Sequence, residues 1–419
     1  MDTQQEKALQ LATDAGHILL ENGAEINRVE DTMQHIASAY GIEGESFYVL
    51  SNGIISTGEH FARAEFIPIR GTQLSRVVEV NRLSREIDAA APMPLNELER
   101  RLRSIRQSPS KPWWELVVGI ALGVSSFSIL FGGSLVDAGV TFAAGLLLGL
   151  FMTFVGSRLS RIFSNLLGGL VGGLLCIMCV RLSQFSIFNF QFNLHLPNMI
   201  IGTIIALVPG VPFTTGMRDI ANEHYLAGTT RLLDAFLAFL CIALGVVVSL
   251  LADGRLAGGM VQLGEPVADA VTQHWYVQFP AAFIGTMGFA VLFGTPRRYY
   301  LTCGLTGMVG WAVYIMLNSQ FSLAGAAFFG ALAVSLTSTL LAVWRKCPTT
   351  VFLICGIIPL VPGGGIFWTA YHLVANHLRL AATTGFTAIK VTIAIAGGII
   401  IAAAIFNLIG RKEKRLKKV

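Results

Sequence analysis

From Trp113 onward, apolar residues run in ten blocks, each near the ~20 residues that a bilayer's hydrocarbon core requires. They cover 114–131, 138–156, 162–180, 196–216, 229–252, 275–294, 299–317, 322–343, 350–370 and 384–409 and predict ten membrane-spanning helices. The chain before them is patterned differently. Leu9, Ala12, Gly16, Leu19, Ile26, Val29, Met33 and Ile36 recur at helical spacing, with Gly23 placed to bend or split the helix and Gly41 to end it. Phe47 to Thr57 and Phe61 to Ile69 are rich in β-branched and aromatic residues around Gly58-Glu59-His60 and predict a hairpin. Leu74, Val77, Val78, Leu83 and Ile87 predict an amphipathic helix over 72–88, and a short charged helix ends near Arg106. The expected order is an α/β domain over 1–106, a linker over 107–112, a ten-helix membrane domain over 113–410 and a basic tail over 411–419.

One phrase occurs twice, as Leu207-Val208-Pro209-Gly210 in the fourth span and Leu360-Val361-Pro362-Gly363 in the ninth. Proline removes a backbone donor and clashes with the preceding turn, so each copy predicts an interrupted helix. Non-helical backbone at that depth is tolerated only inside protein or against a water-filled cavity. A second pair, Leu130-Phe131-Gly132-Gly133 and Leu292-Phe293-Gly294-Thr295, ends the first and sixth spans. Both pairs are displaced by five spans. Five is odd, so the expected architecture is a five-plus-five inverted repeat, with the breaks marking a binding site between the halves.

Composition agrees with a membrane chain: 53% of residues are hydrophobic and 13% charged, against roughly 25% charged in soluble domains. The charges also set direction. Lys111, Arg158, Arg161, Arg218, Arg231, Arg297, Arg298, Arg345, Lys346 and the basic tail fall on one side, against Arg181, Arg255 and Arg379 on the other. The positive-inside rule then places both termini, and with them the α/β domain, in the cytoplasm. Basic residues in loops and a tail do not form a nucleic-acid surface. The six cysteines sit in or beside apolar runs without a metal-ligand pattern, and no cofactor motif is present.

Chemistry gathers near the breaks. Thr214, Thr215 and Thr369 supply hydroxyls beside Pro209, Gly210, Pro362, Gly363 and Gly364, where free amides of half-helices can hold a carboxylate. Asp219 and Glu223 would share one face if the chain there is helical, and a shift of 153 residues carries them onto His372 and Asn376. Asp219, Glu223, Asp234 and His372 are the candidates for carrying protons, and Lys390 is a further pathway candidate within a span. In the first domain Glu21, Glu25 and Arg28 are spaced for one helix face, with Glu25 and Arg28 one turn apart. A hydrolase built from His17, Ser51 and His60 would lack both a nucleophile elbow and metal spacing.

The stretch from Gly16 through Gly23-Ala24-Glu25-Ile26-Asn27-Arg28-Val29-Glu30 to Thr32 resembles the opening motif of the bacterial threonine/serine exporter family. The order of one polar domain and twice five spans is similar to that family across nearly the whole chain. The resemblance implies a proton-driven secondary exporter of threonine and serine in the bacterial inner membrane, not an enzyme. Its partners would be a small polar substrate, protons, the lipid bilayer and a homo-oligomeric copy. It gives Glu21, Gly23, Glu25, Arg28 and Glu30 a role in gating or substrate entry. Split-subunit relatives are linked to succinate export, so a dicarboxylate exporter on the same scaffold is the alternative, followed by a membrane-tethered enzyme acting through the first domain.

Overall fold

The computed structural model describes residues 3–42, 46–58, 61–68, 71–87, 92–184, 194–257 and 268–416. The N-terminal α/β domain contains α1 (Thr3–Glu21), α2 (Ile26–Ala39), β1 (Ser46–Leu50), β2 (Gly53–Gly58), β3 (Phe61–Phe66), α3 (Leu74–Glu86) and α4 (Leu95–Arg106). Gly23 splits the first periodic stretch into two helices, because its φ of +84° belongs to the left-handed region that a side chain disfavours. The expected two-stranded hairpin is a three-stranded antiparallel meander. The run from Phe47 to Thr57 reverses at Ser51-Asn52, so that Leu50 pairs with Gly53 and Tyr48 with Ile55. Ser51-Asn52-Gly53 carries the turn signal, which the β-branched residues on either side outweighed in the sequence. Glu59 and His60, at the expected turn, lie outside the described residues. Leu9, Leu19, Ile26 and Met33 from α1 and α2 pack with Ile54, Val77 and Leu98 into one buried core.

Ten spans follow. They are α5 (Trp113–Leu130), α6 (Leu135–Phe154), α7 (Arg161–Gln184), the pair α8 (Leu196–Ile204) and α9 (Gly210–Ala221), and α10 (Tyr225–Ala257), then α11 (Trp275–Leu292), α12 (Tyr300–Asn318), α13 (Leu323–Arg345), the pair α14 (Thr350–Ile357) and α15 (Gly363–Val374), and α16 (Leu378–Leu416). Among the described residues, eight helices are long and apolar enough to cross a membrane singly, and the number rises to ten if each bent pair is one span. The protein is a multi-pass helical membrane protein. Residues 417–419 of the expected tail lie outside the described residues, and α16 runs on to Leu416.

The two breaks are near copies of one another. Each half-helix tightens into a 3-10 turn, Ile205–Leu207 and Ile358–Leu360. An extended valine follows, with φ −60° and ψ 127° at Val208 and φ −59° and ψ 128° at Val361. The amides of Gly210 and Gly363 then reach back to Val208 and Val361 at 2.8 and 2.7 Å. The bends are 64° and 51°. The C-terminal halves end alike, on positive φ at Glu223 and Asn376, with His224 and His377 donating to the carbonyls of Asp219 and His372 at 2.8 Å.

The breaks also meet. A Cβ on Gly210 would stand 2.4 Å from Ile358 Cδ1, and one on Gly363 would stand 3.0 Å from Ile205 Cδ1. Ile205 and Ile358 are themselves 153 residues apart, so the contact is reciprocal. Around this crossing α5 packs on α11, α7 on α10 and α13 on α16. Glycine permits the α7–α10 approach: a Cβ on Gly169 would lie 2.3 Å from the Ile242 carbonyl oxygen.

Candidate functional site

The N-terminal domain seats itself on the near ends of both halves. At the start of α3, Leu74 and Ser75 donate to the carbonyls of Phe293 and Gly294 at 2.9 and 3.0 Å. The loop between α1 and α2 lies on α9, with Gly23 facing Val211. Glu25 caps this loop and is only 5% exposed. Its Oε1 accepts from Arg218 Nη1 of the first half and from Thr350 Oγ1 of the second, the latter at 2.7 Å. One carboxylate therefore joins three parts of the chain.

A second ion pair lies directly beneath. Asp219, fully buried, accepts from Arg231 Nη1 at 2.5 Å and from the Ile26 amide at 3.4 Å. Arg231, itself buried, also donates to the Ala24 carbonyl at 3.2 Å. His224 and Asn27 form a further bond across the same seam. Burying such charges is costly unless they are paired and hydrogen-bonded, and here each carboxylate has at least two donors.

Several expected arrangements differ. Glu25 and Arg28 do not pair, since α1 ends before Gly23 and the helix face they were to share does not exist. Arg28 instead donates to Asn81 Oδ1 at 3.0 Å, and burial holds its guanidinium below the ordinary arginine value. Glu30 accepts from the Val49 amide at 3.1 Å and so ties α2 to β1, with burial raising its carboxyl. Glu21 is buried on α1. Asp219 and Glu223 do not share a helix face, because α9 ends at Ala221 and Glu223 is exposed in the turn beyond it. Thr214 and Thr215 turn their hydroxyls back onto the carbonyls of Gly210 and Val211 at 2.8 and 2.9 Å.

On the opposite side of the crossing lies a cavity of about 570 Å³. It is walled by the far ends of α5, α12 and α16 and by the second break, including Pro362, Gly364 and Gly365. Trp311, Tyr314 and Trp368 supply rings, Asn318 and Gln273 amides, and Thr383, Thr384 and Thr387 hydroxyls. Gln278 is fixed there, donating to the Thr272 carbonyl at 2.7 Å and accepting from Trp311 Nε1 at 2.8 Å. No charged side chain is among the described lining. Of the expected pathway residues, Pro362 and Gly364 line this cavity. Thr369 stands behind it, donating to Thr384 at 3.1 Å. Pro209, Gly210 and Gly363 belong to the crossing, and His372 stacks on Trp368 with ring centroids 5.5 Å apart. Lys390 is exposed on α16, 4.6 Å above the Phe386 ring, and Asp234 is exposed on α10.

Arg231, Thr350 and the Trp311–Gln278 pair were not singled out by the sequence. Each meets its partner through tertiary packing rather than local spacing. Only Arg231, a charge within an apolar block, left a signal.

A model of the threonine/serine exporter family matches residues 10–252, and a second, described as "Threonine/Serine exporter, ThrE", matches residues 278–405. The chain belongs to the threonine/serine exporter family. The first match ends within α10 and the second begins within α11. Within this family, a protein of Corynebacterium glutamicum named "Threonine/serine exporter" is 25% identical over 97% of this chain and 83% of its own. A "Probable threonine/serine exporter" of Mycobacterium tuberculosis is 23% identical over 90% of this chain and 72% of its own. A "Probable succinate transporter subunit YjjP" of Klebsiella aerogenes is 24% identical over 59% of this chain and 95% of its own. No solved structure matches the chain.

Proposed function

We propose that the protein is a secondary exporter of threonine, serine and similar small polar amino acids, working by alternating access about the crossed breaks. The observation that carries this reading is the Glu25 carboxylate, held at once by Arg218 of one half and Thr350 of the other. It seals the end that faces the N-terminal domain, while the polar cavity lies beyond the crossing on the far side. A route closed at one end and hollow at the other is one of the two states that alternating access requires. The excess of Lys and Arg in the loops at the sealed end supports reading that end and both termini as cytoplasmic, in a bacterial inner membrane.

The cavity suits a zwitterion. The amides of Gly364 and Gly365 belong to the first turn of α15, where no preceding turn can accept them and the helix dipole favours a carboxylate. The corresponding positions in the first break are Val211 and Pro212, and proline has no amide proton. Aromatic faces of Trp311 and Trp368 attract an ammonium group, and the threonine hydroxyls match a hydroxylated side chain. A dicarboxylate would need a second cationic partner that the described lining lacks. Among the proton-carrying candidates Asp219 is favoured. It is buried and spans domain and break, and releasing Arg231 would leave a carboxylate that must take up a proton.

Counterflow in proteoliposomes tests the substrate. Vesicles loaded with unlabelled threonine or serine should take up labelled threonine in a saturable overshoot, and those loaded with succinate should not. An overshoot only with succinate would overturn the assignment.

A further inference from the structure

Helices α10 and α16 hold equivalent places in the two halves. A shift of 153 residues carries Thr230, Asp234, Ala235 and Ala238 of α10 onto Thr383, Thr387, Ala388 and Val391 of α16. All four α16 residues line the cavity on the far side. The same shift carries Arg231, which is locked onto Asp219, to Thr384, which lines that cavity too. Asp234 is exposed and makes no ion pair among the described residues. A bare carboxylate on a lipid-facing surface is costly and is placed there rarely. Its neighbour Leu233 corresponds to Phe386, which is 62% exposed and outside the cavity lining, so lipid is the fitting environment for that position instead.

We propose that Thr230, Asp234 and Ala238 wall a second vestibule, opening on the side of the N-terminal domain, whose carboxylate receives the ammonium group of incoming cargo. This rests on the alternating-access reading above. The Glu25 and Asp219–Arg231 contacts keep this vestibule narrow in the present state, with Thr230 and Asp234 already exposed on its wall, and separating them extends to α10 the water-facing role that α16 now has. The chemistry of the two vestibules then differs in a useful sense. The loading side carries an acid that collects ammonium-bearing cargo, and the far cavity, among its described lining, carries only neutral groups and lets it leave.

Water access can be read without reference to transport. In inside-out vesicles, with the half-buried Cys179 and Cys241 replaced, D234C should react with a membrane-impermeant thiosulfonate at least tenfold faster than L233C. Adding Glu25→Ala should speed D234C further and slow T387C labelled from the opposite side. T230C and A238C repeat the measurement with Asp234 intact, should D234C fold poorly. Labelling of all three no faster than L233C, with and without Glu25→Ala, would overturn the vestibule. If these positions label but threonine shows no counterflow, the vestibule stands and the substrate assignment falls; counterflow without labelling has the opposite meaning.

Discussion

Asp219 and Arg231 form the most enclosed ion pair in the seam between domain and membrane helices, with 0% and 4% of each residue exposed. Removing one partner leaves the other charge buried and alone, which typically costs about 3–5 kcal/mol. Asp219→Asn should therefore lower the detergent-solubilised melting temperature markedly. Asp219→Leu with Arg231→Met should recover much of the loss, and failure of that recovery would mean the pair is not acting as a unit. Thr350→Val removes a single neutral donor from Glu25 and should cost about 0.5–1.5 kcal/mol by the same measurement. In the N-terminal domain, Asp14 has its carboxyl raised, first by burial and then by the nearby Glu65. A raised folded value means the native state holds its proton more tightly than the unfolded chain. Its contribution is then present below the unfolded value and is lost as pH climbs through the folded one. Asp14→Asn should thus stabilise the protein at pH 7 and give no gain below about pH 3.

The broken helices are the elements on which the proposed mechanism turns, and they were the most legible part of the chain. Proline and glycine in matched apolar blocks announce an interruption whatever the surroundings, and the two breaks agree to within a few degrees at Val208 and Val361. What surrounds each break was not legible. Thr214 and Thr215 looked like site hydroxyls, yet a helical threonine readily bonds the carbonyl one turn back, and both do. The motif around Glu25 was visible as a cluster of charges, but its partner lies 193 residues away and no local spacing reveals it. Glycine substitution separates binding from folding at the second break. A Cβ at Gly364 or Gly365 would find ordinary contacts at 3.6 and 3.5 Å. Gly364→Ala and Gly365→Ala should fold normally and weaken threonine binding about tenfold by crowding a carboxylate, a loss of ~1.4 kcal/mol. Unchanged affinity in both would move the carboxylate site elsewhere.

Across the whole molecule, a reciprocal contact between the breaks and a domain that clasps both halves make one closed end and one hollow end. Hydropathy was enough to find the eight unbroken spans, because lipid imposes length and apolarity on each of them, and the two bent pairs bring the number to the expected ten if each is one span. Which end is closed follows only from side chains that meet across the fold. This arrangement is proposed to drive a small amino acid uphill. Its most direct test is threonine uptake into inside-out vesicles bearing the purified protein, with the lumen made acidic relative to the medium. The expected result is accumulation above the external concentration, collapsing when a protonophore is added. Uptake that only equilibrates, and is indifferent to the proton gradient, would contradict it.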